Sequence, residues 1–130
     1  GFDGNDADMP KNFIGISYVS NQEELAEYYS LADVYVMTSS GEGMSLTCME
    51  ALGCGTKLIG FDISGTPYAA SAEFGTFVSF DDLDAFAEAI CVSERKNEES
   101  IRRCREYALS RYEISDYVRN LEKIAIDLKS

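Results

Sequence analysis

The chain has 130 residues, 45% of them hydrophobic, with 23 acidic against 11 basic side chains and a net charge of −12. That length suits one globular domain with a buried core, and the acidity disfavours nucleic acid and anionic membranes, which are bound through an excess of Lys and Arg. Histidine is absent, so neither a Ser-His-Asp nor a Cys-His nucleophile can be assembled within the chain.

Residues 1–12, rich in Gly, Asp and Asn, read as an irregular leader, and Phe13-Ile14-Gly15-Ile16 as a short apolar strand. Ser20 or Asn21 is positioned to cap a helix running to Leu31, with Glu23 and Glu24 in its first turn complementing the dipole. Val34-Tyr35-Val36-Met37 forms an apolar run that predicts a strand covered on both faces. A helix follows up to Cys54, stopped by Gly55, and then a strand over 57–61. Asp62 to Pro67 is a loop entering a short helix near Tyr68–Phe74; Gly75 ends it and 76–80 is a further strand. Three apolar stripes at helical spacing close the chain. They run through Leu83, Phe86 and Ile90, through Ile101, Cys104 and Ala108, and through Ile114, Val118, Leu121 and Leu128. Strands alternating with helices to residue 80 predict a parallel, Rossmann-like α/β sheet wrapped by helices, as a single domain over 1–130 that ends in three helices.

No apolar run approaches the ~20 residues of a membrane span, and the N-terminus lacks a signal-peptide pattern. Cys48, Cys54, Cys91 and Cys104 show no C-x-x-C spacing. A zinc site is therefore not expected, and reduced, mostly buried thiols in a cytoplasmic protein are. The broad stripe on the last helix needs a partner and offers a surface for self-association.

The segment Glu42-Gly43-Met44-Ser45-Leu46-Thr47-Cys48-Met49-Glu50 places two carboxylates eight apart where a loop becomes a helix, between two strands. Backbone amides and the positive end of a helix dipole converge on such a loop. With the helix starting near Met44 or Ser45, Leu46, Met49, Leu52 and Gly53 share one arc against the sheet. Glu50 then lies at the border of that arc, partly buried near the sheet's carboxyl edge, where a ribose diol supplies the donors it needs. A diphosphate at the amides of Gly43, Met44 and Ser45, with a sugar near Glu42, completes the arrangement. The arginines at 102, 103, 105 and 111 share a helix with Glu98, Glu99 and Glu106 and read as surface pairs. Tyr28, Tyr29 and Tyr35 read as core aromatics rather than stacking platforms.

Taken together, Tyr28 to Val36, Ser39-Ser40-Gly41-Glu42-Gly43-Met44-Ser45-Leu46 and Glu50-Ala51-Leu52-Gly53-Cys54-Gly55-Thr56 resemble the retaining GT-B glycosyltransferases of family 4, the "glycosyl transferases group 1". Their signature is a pattern like E-G-F-G-x-x-x-x-E-A-x-A-x-G. Ser64-Gly65-Thr66-Pro67 is similar to that family's Gly-Gly-x-Pro-Glu loop, and Gly75-Thr76-Phe77-Val78 to its Gly-x-x-V strand. The resemblance implies the donor-binding, C-terminal part of a GT-B fold that transfers a sugar from a nucleotide-diphosphate donor with retention. Glu42 then contacts the donor sugar, Gly43, Met44, Ser45 and Gly65 belong to the donor site, and Glu50 takes the ribose hydroxyls. It implies no metal and no cofactor beyond the nucleotide sugar itself. It also implies an N-terminal acceptor domain in cis, outside this chain, with the opening strand and the diphosphate-gripping Arg and Lys upstream of residue 1. The isolated chain is accordingly expected to be inactive and weak in donor affinity.

This sequence departs from the pattern at Ser45, in place of the second glycine, at Thr38 and Lys57, in place of prolines, and at Tyr68, in place of the glutamate after Pro67. Those departures favour an alternative, a non-catalytic α/β interaction or scaffold module of the same fold. The intact Glu42/Glu50 pair favours the enzyme.

Overall fold

The structure is a computed structural model that describes residues 9–41, 43 and 45–127. Its elements run α1 (Gln22–Leu31), β1 (Val34–Met37), α2 (Leu46–Gly53), β2 (Lys57–Asp62), a single 3-10 turn (Thr66–Ala69), β3 (Gly75–Ser79), α3 (Leu83–Cys91), α4 (Glu98–Tyr112) and α5 (Ile114–Asp127). The strands form a parallel sheet in the order β1-β2-β3, with Val34 opposite Lys57, Leu58 opposite Gly75 and Gly60 opposite Phe77.

Side chains alternate across the strands and sort the helices into two layers. Tyr35, Met37, Leu58 and Phe77 face one core with Cys48, Ala51 and Leu52 of α2 and Cys104 and Ala108 of α4. Val34, Ile59, Phe61 and Val78 face a smaller core with Phe86 and Ala89 of α3. The sheet is thus covered on both sides, as an open α/β fold requires.

Local chemistry sets the boundaries. Asn21 caps α1 by accepting from the amides of Glu23 and Glu24 at 2.8 and 3.3 Å. Asp82 caps α3 through the Ala85 amide at 3.0 Å, and Asn97 and Ser100 cap α4 reciprocally. Gly55 ends α2 at φ +81, and a Cβ there would meet the Ile101 side chain at 2.7 Å, so both conformation and space select glycine.

Three expectations are corrected. Phe13–Ile16 is not a strand; the Phe13 amide donates to Pro10 in a turn at 2.9 Å, and Ile14 is 88% exposed. An apolar run becomes a strand only beside a neighbour that takes its N–H and C=O groups, and among the described residues none lies there. The helix expected near Tyr68–Phe74 is instead the 3-10 turn at Thr66–Ala69, started by Pro67 and followed by turns. The two-sided cover expected of β1 is partial, with Val36 exposed on the smaller-core side. Among the described residues, no helix is long and apolar enough to cross a membrane. Of the four cysteines, all free, Cys48 and Cys104 are buried, Cys54 is half-buried and Cys91 is exposed, so the expected burial of the thiols holds for two of them. On α5, Ile114, Val118 and Ile124 are exposed; Leu121 and Leu128 of that stripe lie outside the described side chains.

Candidate functional site

At the carboxyl edge of the sheet, the loop after β1 and the loop after β2 meet through two glycines. A Cβ built on Gly65 would lie 2.5 Å from the carbonyl oxygen of Gly43 and 2.6 Å from its carbonyl carbon. Gly65 has φ −87, an ordinary value for any residue, so closeness alone selects glycine there. Among the described residues, a Cβ on Gly43 would meet no atom within 4 Å. Glu42 and Met44 fall outside the described residues.

Behind this junction α2 begins. Ser45 is its N-cap, with extended backbone, yet its hydroxyl makes no capping bond. The Ser45 Oγ instead lies 2.8 Å from Thr47 Oγ1. The first turn therefore keeps the positive end of its dipole uncapped by a side chain and carries no acidic residue. The phenol of Tyr35 donates to Thr47 Oγ1 at 2.9 Å, tying β1 to the start of α2.

Glu50 does not sit where the spacing placed it. It is exposed, and the buried face of α2 is Cys48, Ala51 and Leu52, while Leu46 is 71% exposed. The cause is the packing partner: α4 closes on α2, and the Cys104 thiol donates to the Leu52 carbonyl at 3.6 Å. Small residues at Cys48 and Ala51 let the elements approach, which turns that arc inward. Glu50, about 100° behind Ala51 and about 200° behind Leu52, falls on the opposite flank, towards α1. There its Oε2 accepts from the Tyr29 phenol at 3.1 Å.

Tyr29 is itself held at three points. Its ring meets that of Tyr35 edge-on at 5.6 Å. Its carbonyl accepts from the buried Thr56 hydroxyl at 2.6 Å. Lys96 Nζ donates to that same hydroxyl at 3.0 Å, and burial lowers the ammonium's pKa against the raising effect of Asp33. Burial, with the hydrogen bond and charge of Glu50, raises the pKa of the Tyr29 phenol. A cleft of about 340 Å³ between α1 and α2 is lined by Leu25, Ala26, Tyr29, Glu50 and Gly53. Tyr29 and Tyr35 do pack on the core as read, but sequence reasoning missed their hydroxyl partners. An aromatic in the last turn of α1 signals packing, and nothing in its spacing points to Glu50, 21 residues away.

Three of the four arginines of α4, Arg102, Arg103 and Arg111, are engaged on the surface. Arg102 pairs with Glu99 and Glu106 at 2.7 and 2.6 Å along the helix, as expected. Arg103 pairs across elements with Glu73 at 2.6 Å. Arg111 donates to the Tyr68 carbonyl at 2.9 Å. A second cleft, of about 330 Å³, opens at the opposite, amino edge of the sheet beside Asp33, Lys57 and Glu73. Ligands of open α/β sheets bind at the carboxyl edge, so the glycine junction is the better candidate.

Comparison with known proteins agrees with this architecture. The family model "Glycosyl transferases group 1" matches residues 6–111. A UDP-N-acetylglucosamine--peptide N-acetylglucosaminyltransferase GtfA subunit from Streptococcus parasanguinis is 33% identical over 81 residues, 55% of this chain and 16% of that protein. The D-inositol 3-phosphate glycosyltransferase 2 of Catenulispora acidiphila is 34% identical over 71 residues, 54% of this chain and 17% of that protein. A solved structure, described as the crystal structure of the GtfA/B complex, superposes with TM-score 0.54 at 27% identity, covering 77% of this chain and 23% of that one. The chain thus spans under a quarter of the relatives it matches, and within that span it belongs to the glycosyl transferases group 1 family, as a domain fragment of the GT-B fold.

Proposed function

We propose that the chain is the donor-binding part of a retaining glycosyltransferase, which transfers a sugar from a nucleotide-diphosphate sugar to an acceptor held by an N-terminal domain in cis. The observation that carries this reading is the contact of Gly43 with Gly65 directly before the uncapped start of α2. Two glycines, bare of side chains where the loops touch, leave room for backbone amides to meet a diphosphate, whose growing negative charge they stabilise as the sugar departs. In this reading the amides of Gly43, Met44 and Ser45 hold the diphosphate, Gly65 keeps the floor of the site low, and Glu42 positions the donor sugar. Glu50 takes ribose hydroxyls; its exposed carboxylate is free to reach a ligand. No metal and no separate cofactor are required.

Family membership and the similarity to two named glycosyltransferases support the reading. Free cysteines suit a cytoplasmic setting. The exposed apolar residues of α5 are covered, in the whole protein, by its other domain or by a second copy. The isolated chain, with a net charge of −12, binds donor weakly and transfers no sugar by itself.

The test is an amide-resolved NMR titration of the chain with UDP, GDP and ADP, beside Glu50→Ala. Shifts concentrated at Gly41–Leu46, selective for one base and weakened by the substitution, are expected. Shifts scattered elsewhere, or none at millimolar ligand in either the chain or the full-length protein, would remove the donor-site reading in favour of a non-catalytic module.

A further inference from the structure

Glu50 is exposed and projects from a helix flank, where a carboxylate ordinarily samples several rotamers. A carboxylate that must hold a diol needs one orientation, and the side chain that supplies it here comes from α1. We infer that Tyr29 is a positioning residue for the nucleoside end of the donor: its phenol occupies Glu50 Oε2 at 3.1 Å and so aims the remaining carboxylate oxygen at the ligand. This rests on the donor-site reading above and adds to it a residue outside the loop and helix of the glutamate motif.

Tyr29 is built for such a role. Its backbone is pinned by the buried Thr56 hydroxyl, itself bonded to Lys96. Its ring is fixed edge-on against Tyr35, whose own hydroxyl reaches Thr47 in the first turn of α2. The phenol and the helix start are therefore parts of one rigid frame. Donation by a phenol to an ionised carboxylate is a charge-assisted bond, stronger than a neutral one. It also takes one lone pair of Oε2, which biases the ribose towards Oε1. The site should thus read one particular ribose hydroxyl more strongly than the other.

The experiment compares nucleoside diphosphates with their 2′-deoxy and 3′-deoxy counterparts by NMR titration, in the chain and in Tyr29→Phe, Glu50→Gln and the double variant. Phenylalanine keeps the ring and its contact with Tyr35, so the fold is retained. The wild-type chain should prefer the ribonucleotide over one deoxy form by about tenfold, and Tyr29→Phe should lose roughly threefold to tenfold of that preference. The double variant should match Glu50→Gln alone, since the phenol acts only through the carboxylate. A ligand-free arm follows the Tyr29 ring carbon against pH: its titration should move towards the ordinary tyrosine value in Glu50→Gln. Full ribose preference in Tyr29→Phe, with that preference lost in Glu50→Gln, would overturn the positioning role and leave the site reading intact. No ribose preference in the wild-type chain would overturn both.

Discussion

Alanine at the two glycines of the junction separates the folding demand of the site from its binding demand. Gly65→Ala puts a methyl 2.5 Å from the Gly43 carbonyl oxygen, where ordinary contacts begin at 3.4 Å. The obstacle is backbone on both sides and cannot swing aside, so one loop must retreat by about 1 Å, an overpacking expected to cost ~1–3 kcal/mol. For a chain of 130 residues the unfolding entropy near the midpoint converts this to a fall in Tm of roughly 4–10 °C. Gly43→Ala places its methyl where no atom of the described residues lies within 4 Å, and its effect on stability should stay within about 0.5 kcal/mol. The same methyl would stand before the start of α2, and affinity for a nucleoside diphosphate should fall at least about tenfold, equivalent to ~1.4 kcal/mol.

The assay is thermal denaturation by circular dichroism combined with the diphosphate titration, and the two substitutions should give opposite patterns. An unchanged Tm in Gly65→Ala with unmoved amide shifts at Gly43 would show that the loops do not touch in solution. Undiminished binding in Gly43→Ala would show that the phosphate does not lie at this junction. Either result refutes the reasoning at an identifiable step.

Four further outcomes are expected. Among the described residues the buried Thr66 hydroxyl has no hydrogen-bond partner, so Thr66→Val, which keeps the shape, should stabilise the chain by ~1–2 kcal/mol in urea titrations; destabilisation would show that the hydroxyl is satisfied. Leu52→Ala removes a fully buried side chain between α2 and α4 and should cost ~2–5 kcal/mol, read the same way. Burial pushes the Cys104 thiol from its ordinary 9.0 up to about 11. Because the folded value is the higher one, its contribution is intact below about pH 9 and is lost as pH rises to 11. Cys104→Ala should therefore abolish ~2–3 kcal/mol of the alkaline loss of stability, and an identical pH profile would contradict this. Finally, an acidic chain repels a diphosphate at long range, and that repulsion is screened within about 10 Å at 0.1 M salt against about 30 Å at 0.01 M. Diphosphate affinity should rise with sodium chloride across this range; a fall would mean that cations, not amides, dominate the contact.

Much of the fold was legible because its signals are local. Asn21, Asp82 and Asn97 announce helix starts by chemistry that acts within three residues, and Gly55 announces an end by its own conformation. That the strands run parallel followed from alternation, since parallel neighbours need a crossover between them; their order did not. What failed was non-local. Phe13–Ile16 has the composition of a strand, but strand formation depends on a partner edge that composition does not encode. Pro67 was visible, yet whether its turn grows into an α-helix depends on what packs beyond it, and the chain turns back at Ser71, whose amide bonds to Tyr107 of α4 at 2.9 Å.

The candidate site divides along the same line. The amides of a Gly-containing loop before a helix are placed by the chain's own connectivity, so Gly43 and Ser45 could be read directly. Their meeting with Gly65 could not, because two loops approach through a register, Met37 beside Gly60, that links different strands. Glu50 shows the limit most clearly. Helical periodicity fixes its angle relative to Leu52, but only the docking of α4 decides which residues of α2 turn inward. Once α4 claims the side bearing Cys48, Ala51 and Leu52, Glu50 must face α1, and a tyrosine on α1 with its phenol within reach becomes its natural partner. The carboxylate's orientation is therefore a consequence of helix packing on the far side of α2. Substitutions at Cys104 or Ala108, remote from any ligand, should be felt at Glu50 through the rotation of that helix, as a change in ribose preference rather than in phosphate binding.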